Sequence, residues 1–428
     1  MGFSSVTFLF YFLPLVLLVY YLSLRRMKNL VLLAASLLFY GLTAGRYVFL
    51  LVVSALCNYL FGKTMAGKNG KWMLLCSVLF NLGLLLFFHA PGVSFFSFQA
   101  IAYQVDVYQG KVKAEGSVIS YLLYFTFFAK LTAGPLVRYG EMQEALQGRH
   151  ETAEQFAEGI KRFVKGLFYK CVLAQTLLDA MQVMTTNSLL SAWFNAAACF
   201  LYVAFDFIAY SDMAVGIGCF FGFSLPENFN YPLLAESVRD FWRRWHMTLM
   251  RFFKDYVYIP LGGSQRSAAI VVRNIFVVWL LTGLWHGRQM SYLVWGLYFG
   301  FFVVMERFVF GKWLRRHKVT SHFYTLLAVM VGFVFFRANT ISDALIQLQA
   351  MAGMNVPLFD ELSLYYAGSY FPFLVFAFLC STPLFAKLYQ VVVKKWQYAE
   401  VVVVVVLFVI SLSFLLHSGF TPFVYFRY

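Results

Sequence analysis

TGLWHGRQMSYLVWG, residues 282–296, sets a histidine between two tryptophans inside apolar sequence that runs from about residue 270 to 310. Apolar runs of about 16 and 22 residues flank the break, close to what a bilayer-spanning helix needs. The same pattern continues outward in both directions. Of 428 residues, 61% are hydrophobic and only 12% charged, against roughly a quarter charged in soluble domains. The mean hydropathy is +0.71, and the chain reads as a polytopic membrane protein. A net charge of +15 could point to nucleic acid, but the Lys and Arg residues sit in short clusters between apolar runs, as cytoplasmic loops carry them. No nucleic-acid partner is expected; the first partner is the lipid bilayer. Six cysteines are scattered singly without metal spacing and read as small buried apolar residues. The N-terminal run carries Arg25, Arg26 and Lys28 after its apolar stretch, the reverse of a signal peptide. It reads as a retained first helix. Val6 breaks the myristoylation pattern.

Runs of spanning length fall near 5–24, 30–43, 46–62, 72–89, 118–136, 162–184, 190–222, 270–285, 289–310, 322–337, 367–390 and 400–417. About ten to twelve transmembrane helices are expected in an all-α integral membrane fold. Basic clusters at Arg25/Arg26/Lys28, Lys68/Lys71, Lys312/Arg315/Arg316/Lys318 and Lys394/Lys395 belong on the cytoplasmic side. That places both termini outside. Segments 92–110, 129–141 and 228–266 are too polar or interrupted for simple spans and read as re-entrant or interfacial. No segment is a self-sufficient soluble domain, so residues 1–428 are taken as one domain with an extracytoplasmic aromatic tail at 418–428. There is no inverted repeat, which argues against a secondary transporter.

Two histidines stand out. His246 follows Trp242 and Trp245 in SVRDFWRRWHMTLMRFFKDYVYIPLGG, an amphipathic stretch suited to the cytoplasmic interface. Simple anchoring accounts for its Trp and Arg content but not for His246. His286 ends the 270–285 run, about 24 Å of helix from the basic side, with Gly283 and Gly287 leaving room for a substrate or a neighbouring helix. A lone intramembrane histidine can be a structural hydrogen-bonder; it can also take a proton from a hydroxyl nucleophile, the step acyl transfer requires. No third and fourth ligand stands at zinc spacing, so no metal is expected.

The stretches DFIAYSDMAVGIGCFFG (206–222), ENFNYPLLAESVRDFWRRWHMTLMRFFKDYVYIPLGG (227–263) and TGLWHG (282–287) resemble the membrane-bound O-acyltransferase superfamily. So do GVSFFSFQAIAYQVDVYQG (92–110), AGPLVRYGE (133–141), GFVFFRA (332–338) and the terminal TPFVYFRY (421–428). The chain is most similar to the bacterial alginate and peptidoglycan O-acetyltransferase branch, relatives of the teichoic-acid D-alanyl transfer protein. One departure is FAKLTAGPLVRY, which lacks a proline near Lys130. The resemblance implies helices ringing a thinned centre, with a central tunnel from a cytoplasmic donor pocket to an outer funnel. It matches His286 to the essential histidine and His246 to its partner. Trp245 and Trp285, beside the histidines, then join the tunnel or substrate-binding surface.

Asp206 and Tyr210 share a helix face, and Ser211 and Asp212 follow. They are assigned to the tunnel, with a hydrogen-bond network between helices as the alternative. Arg138 and Arg337 would bind donor phosphates or mark an interface. In the tail, Tyr425 is either one residue of an aromatic belt or an acyl relay that folds back into the funnel.

The expected reaction is transfer of an acyl group, acetyl first, from a cytoplasmic thioester such as acetyl-CoA, with no tightly bound cofactor. The acceptor would be an extracytoplasmic polysaccharide, reached through an SGNH-hydrolase-like transferase outside a bacterial plasma membrane. D-alanyl transfer to teichoic acid from a carrier protein is the nearest alternative, and a membrane transporter the alternative of another class.

Overall fold

A computed structural model describes residues 1–65, 70–185, 187–396 and 398–418. Every regular element among the described residues is helical, with no strand among them. Among the described residues nine helices are long and apolar enough to cross a membrane, and Phe8–Leu22 is a shorter apolar one. The apolar runs read from sequence appear as Tyr47–Thr64, Gly70–Phe87, Leu189–Phe220, Ala268–His286, Met290–Arg316, Lys318–Arg337, Glu361–Cys380 and Ala399–His417.

Two runs differ from simple spans. The 118–136 run breaks at Phe127, whose φ of −51° and ψ of 115° end the Val118–Thr126 helix before a short Phe128–Leu131 turn. The break is not left unbonded: Phe128 N donates to Ser36 Oγ at 3.1 Å, as backbone at membrane depth requires. The 162–184 run opens inside the amphipathic Ala153–Phe168 helix, passes through a π-helical stretch at Tyr169–Ala174 and ends as Gln175–Val183. Segment 92–110 is a regular helix, Val93–Tyr108, with most of its residues buried. Segment 228–266 holds two seven-residue helices, Val238–Arg244 and Met247–Phe253.

The chain forms two compact units. The first comprises Met1–Leu167 and Ala209–Glu227, with the described residues from Leu415. Within it, Phe3, Phe8, Phe12, Phe39 and Phe128 interlock with ring centroids 5.1–6.4 Å apart, each pair worth about 0.5–1.5 kcal/mol beyond burial. Asn58 and Asn81 exchange side-chain hydrogen bonds of 3.2 and 2.8 Å between the Tyr47–Thr64 and Gly70–Phe87 helices. Polar bonds of this kind replace the hydrophobic drive that lipid cannot supply between helices.

The second unit comprises Phe168–Ile208 and Asn228–Phe414. Its close packing lies between the Ala268–His286 and Met290–Met305 helices. A Cβ on Gly283 would meet the Tyr292 carbonyl at 2.5 Å, and one on Gly296 the Trp279 carbonyl at 2.4 Å. The room that Gly283 leaves is therefore filled by a neighbouring helix. Of the cysteines, Cys171, Cys199 and Cys380 are buried, Cys57 and Cys219 half-buried and Cys76 exposed; Cys76 does not serve as a core residue.

Candidate active site

The second unit brings the two histidines together around Trp285. Local sequence explains how His246 is placed. Ser237 Oγ accepts from Asp240 N and starts the Val238–Arg244 helix, while the buried Glu306 carboxylate accepts from Val238 N and Arg239 N at 2.6 and 2.9 Å. An anion at a helix N-terminus satisfies donors that the helix leaves open. The helix ends at Trp245, and His246 takes φ 44° and ψ 50° before Met247–Phe253 begins. A left-handed backbone on a side-chain-bearing residue costs about 1–3 kcal/mol and persists where its surroundings hold it. Those surroundings are the 228–230 segment: Met247 N donates to Asn228 O at 2.9 Å, and Asn230 N to Arg244 O at 2.9 Å.

His246 is only 2% exposed. Its Nδ1 lies 3.1 Å from Asn228 Oδ1, and its ring packs edge-on against Phe207 with centroids 4.7 Å apart. His286 is half-buried as the last residue of its helix. Its ring centroid stands 4.6 Å from Trp285, 4.8 Å from Trp295 and 5.1 Å from Phe336. Trp285 also lies 6.0 Å from the His246 ring, so its indole neighbours both imidazoles. Gly287, with φ 157°, turns the chain away directly after His286; a Cβ there would meet the Tyr292 ring at 2.8 Å. Two buried donors in these surroundings, Asn228 Nδ2 and Trp295 Nε1, have no acceptor among the described residues. Donors of that kind are available to an acyl carbonyl oxygen.

The remaining sequence candidates have other neighbours. Trp245 is buried among Phe229, Phe241 and Phe333 at 5.2–5.5 Å, where it packs the core beside His246. Asp206 is fully buried and ion-paired with Lys170 at 2.5 Å. Arg337 ends the Lys318–Arg337 helix and is exposed. Tyr210, Ser211, Asp212 and Arg138 belong to the first unit. There Tyr210 stacks on Phe3 at 4.6 Å and shares a 2.5 Å hydrogen bond with Thr132. Ser211 is buried. Asp212 receives Arg162 at 2.6 Å and Lys165 at 2.8 Å. Arg138 caps the Tyr139–Gly148 helix, its backbone N donating to Glu141 Oε2 at 2.9 Å. Asp206 and Asp212, the two acidic residues assigned to the tunnel from sequence, are thus charge-paired, as burial of a carboxylate demands. Tyr425 lies outside the described residues.

Asn228, Phe336 and Glu306 were not singled out from sequence, and Trp295, one of the two tryptophans of the opening stretch, was given no role. Asn228 lies in the quoted ENFNYP segment, but its eighteen-residue separation from His246 matches no helical period. Glu306 offered the one usable signal, an acidic residue inside a spanning run.

A paired imidazole site with indole neighbours can bind and deprotonate a hydroxyl, and comparison with known proteins gives that chemistry a family. Residues 37–342 match the model of the MBOAT, membrane-bound O-acyltransferase family. The "Probable alginate O-acetylase AlgI" of Pseudomonas fluorescens is 36% identical over 369 residues, covering 80% of this chain and 74% of the relative. The "Peptidoglycan O-acetyltransferase" of Helicobacter pylori is 32% identical over 421 residues, covering 82% and 80%. The "Teichoic acid D-alanyltransferase" of Bacillus subtilis is 28% identical over 260 residues, covering 57% and 66%. With its spanning helices, its paired histidines and these matches, the chain is a multi-pass membrane O-acyltransferase and belongs to the MBOAT family.

Proposed function

We propose that this enzyme moves an acetyl group from a cytoplasmic thioester, acetyl-CoA as the first candidate, to hydroxyls of an extracytoplasmic polysaccharide of the alginate or peptidoglycan kind. The observation that carries the reading is Trp285 standing beside both His246 and His286 at ring distances of 6.0 and 4.6 Å. The order of similarity among relatives favours acetyl over D-alanyl transfer.

In this reading the hydroxyl oxygen attacks the thioester carbonyl carbon while His286 takes its proton. The C–S bond then breaks, and the thiolate leaves with the proton that His286 returns. Trp295 Nε1, buried and without an acceptor among the described residues, would donate to the developing oxyanion. His246 serves the donor side. The nucleophile is either a polymer hydroxyl or the Tyr425 phenol, which would carry the acetyl ester to an SGNH-hydrolase-like transferase outside. The setting is a bacterial plasma membrane with both termini extracytoplasmic.

The test is a reconstituted proteoliposome supplied on one face with acetyl-labelled acetyl-CoA and on the other with acceptor oligosaccharide. Label on the oligosaccharide that depends on His286 supports the reading. Label delivered only from a D-alanyl carrier, with acetyl-CoA inert, would overturn the choice of donor.

A further inference from the structure

Asn228 makes contacts that define more than its own position. Its Oδ1 accepts from the Thr248 backbone N at 3.3 Å and from Thr248 Oγ1 at 2.9 Å, and the same oxygen faces His246 Nδ1 at 3.1 Å. A backbone N–H can only donate, so the side-chain atom facing it has to be the carbonyl oxygen; the flipped amide would set donor against donor. The backbone of Asn228 is held as well, through Met247 N on its carbonyl at 2.9 Å. Both Asn228 and His246 are buried, so bulk water is not there to compete for these bonds. An oxygen that only accepts requires that the nitrogen it faces carry the proton. A neutral imidazole has one N–H, and here it is on Nδ1.

We propose that Asn228 is a positioning residue that locks His246 as the Nδ1–H tautomer, so that His246 enters acyl transfer as a hydrogen-bond acceptor through Nε2. This rests on the acyl-transfer reading above for the role of His246, but not for its tautomer. The contact also supports the left-handed backbone at His246, because Asn228 grips the chain directly after the ring, at residues 247 and 248. Should the ring become charged, the Nδ1–H bond to Asn228 strengthens.

The test is ¹⁵N NMR of full-length protein labelled at histidine, in detergent micelles, with the His246 signals assigned by their loss in His246→Gln. Wild type should show Nδ1 protonated and Nε2 bare. Asn228→Asp keeps the acceptor and should keep a proton on Nδ1; Asn228→Leu removes it and should give mixed tautomers. In the acyl-transfer assay, Asn228→Leu should lose about 10- to 100-fold in kcat, the scale on which the orienting partner of a metal-ligating imidazole acts, with Asn228→Asp recovering a large part. A wild-type proton on Nε2 overturns the assignment regardless of activity. An unchanged His246 tautomer in folded Asn228→Leu overturns the positioning role. Full activity of His246→Gln with the tautomer as expected would instead remove His246 from the reaction, overturning the acyl-transfer role while leaving the lock in place.

Discussion

Gly283→Ala tests whether the chemistry depends on how closely two helices approach. The added Cβ would stand 2.5 Å from the Tyr292 carbonyl oxygen and 3.3 Å from Leu293 Cα, and both obstacles are backbone. Ordinary contact begins at 3.4 Å, so no rotamer change relieves the overlap and the helices have to part. Overpacking of this type costs about 1–3 kcal/mol. His286 lies on the same helix as Gly283, while Tyr292 and Trp295 on the partner helix flank its ring. Separation of the helices therefore shifts the imidazole against its indole wall, and a misplacement near 1 Å can cost about 100-fold in rate. Gly83→Ala is the control: nothing lies within 4 Å of its added Cβ, and loss of glycine flexibility should stabilise the helix by roughly 0.5–1 kcal/mol. Thermal unfolding in detergent and the rate of acyl transfer would be measured on both variants. Gly283→Ala with wild-type melting and wild-type turnover would refute the close packing and its coupling to the site.

Lys170→Met should destabilise the protein by about 3–5 kcal/mol, because it removes the ammonium that pairs with the fully buried Asp206 carboxylate; Lys170→Met with Asp206→Leu should recover most of that loss in the same melting experiment. Glu151 gives a pH signature. Burial alone pushes its carboxyl up, but hydrogen bonds from Lys28 and Tyr20 and the charge of Lys28 outweigh that and hold it below the ordinary value of 4.5. A depressed carboxyl stabilises the fold above its unfolded value and loses that contribution as pH falls through its folded value. Wild type should therefore melt higher than Glu151→Gln near neutral pH, and the difference should shrink below about pH 4.5 as the carboxyl takes up its proton. An offset that stays constant into acid would contradict the pairing.

The spans were legible because apolar length is a local property: 270–285 becomes Ala268–His286 with almost no adjustment. The break at Phe127 was not, because the residue that makes it tolerable is Ser36, far away in sequence. Both histidines could be picked out as ionisable groups in apolar surroundings, and their neighbouring tryptophans with them. What could not be read was the left-handed turn at His246, since the modest enrichment of histidine in that conformation does not by itself mark a turn, nor the Asn228 contact that holds it. Asp206 and Tyr210 show the limit of spacing arguments. Four residues apart, they share a face, but Asp206 binds Lys170 while Tyr210 binds Thr132. Charge pairing at a distance, not the local period, sets those environments. Gly283 was read for space, and of the two occupants considered, a substrate or a neighbouring helix, the helix fills it.

The most direct test of acyl transfer at the paired histidines is intact-protein and peptide mass spectrometry, combined with product release, after labelled acetyl-CoA is given to membranes containing wild type, His286→Gln or Tyr425→Phe. Acetylated product formed by wild type and abolished in a stably folded His286→Gln protein is the predicted result, with an acetyl mass on Tyr425 if the tail is the relay. Transfer at the wild-type rate in His286→Gln would contradict it.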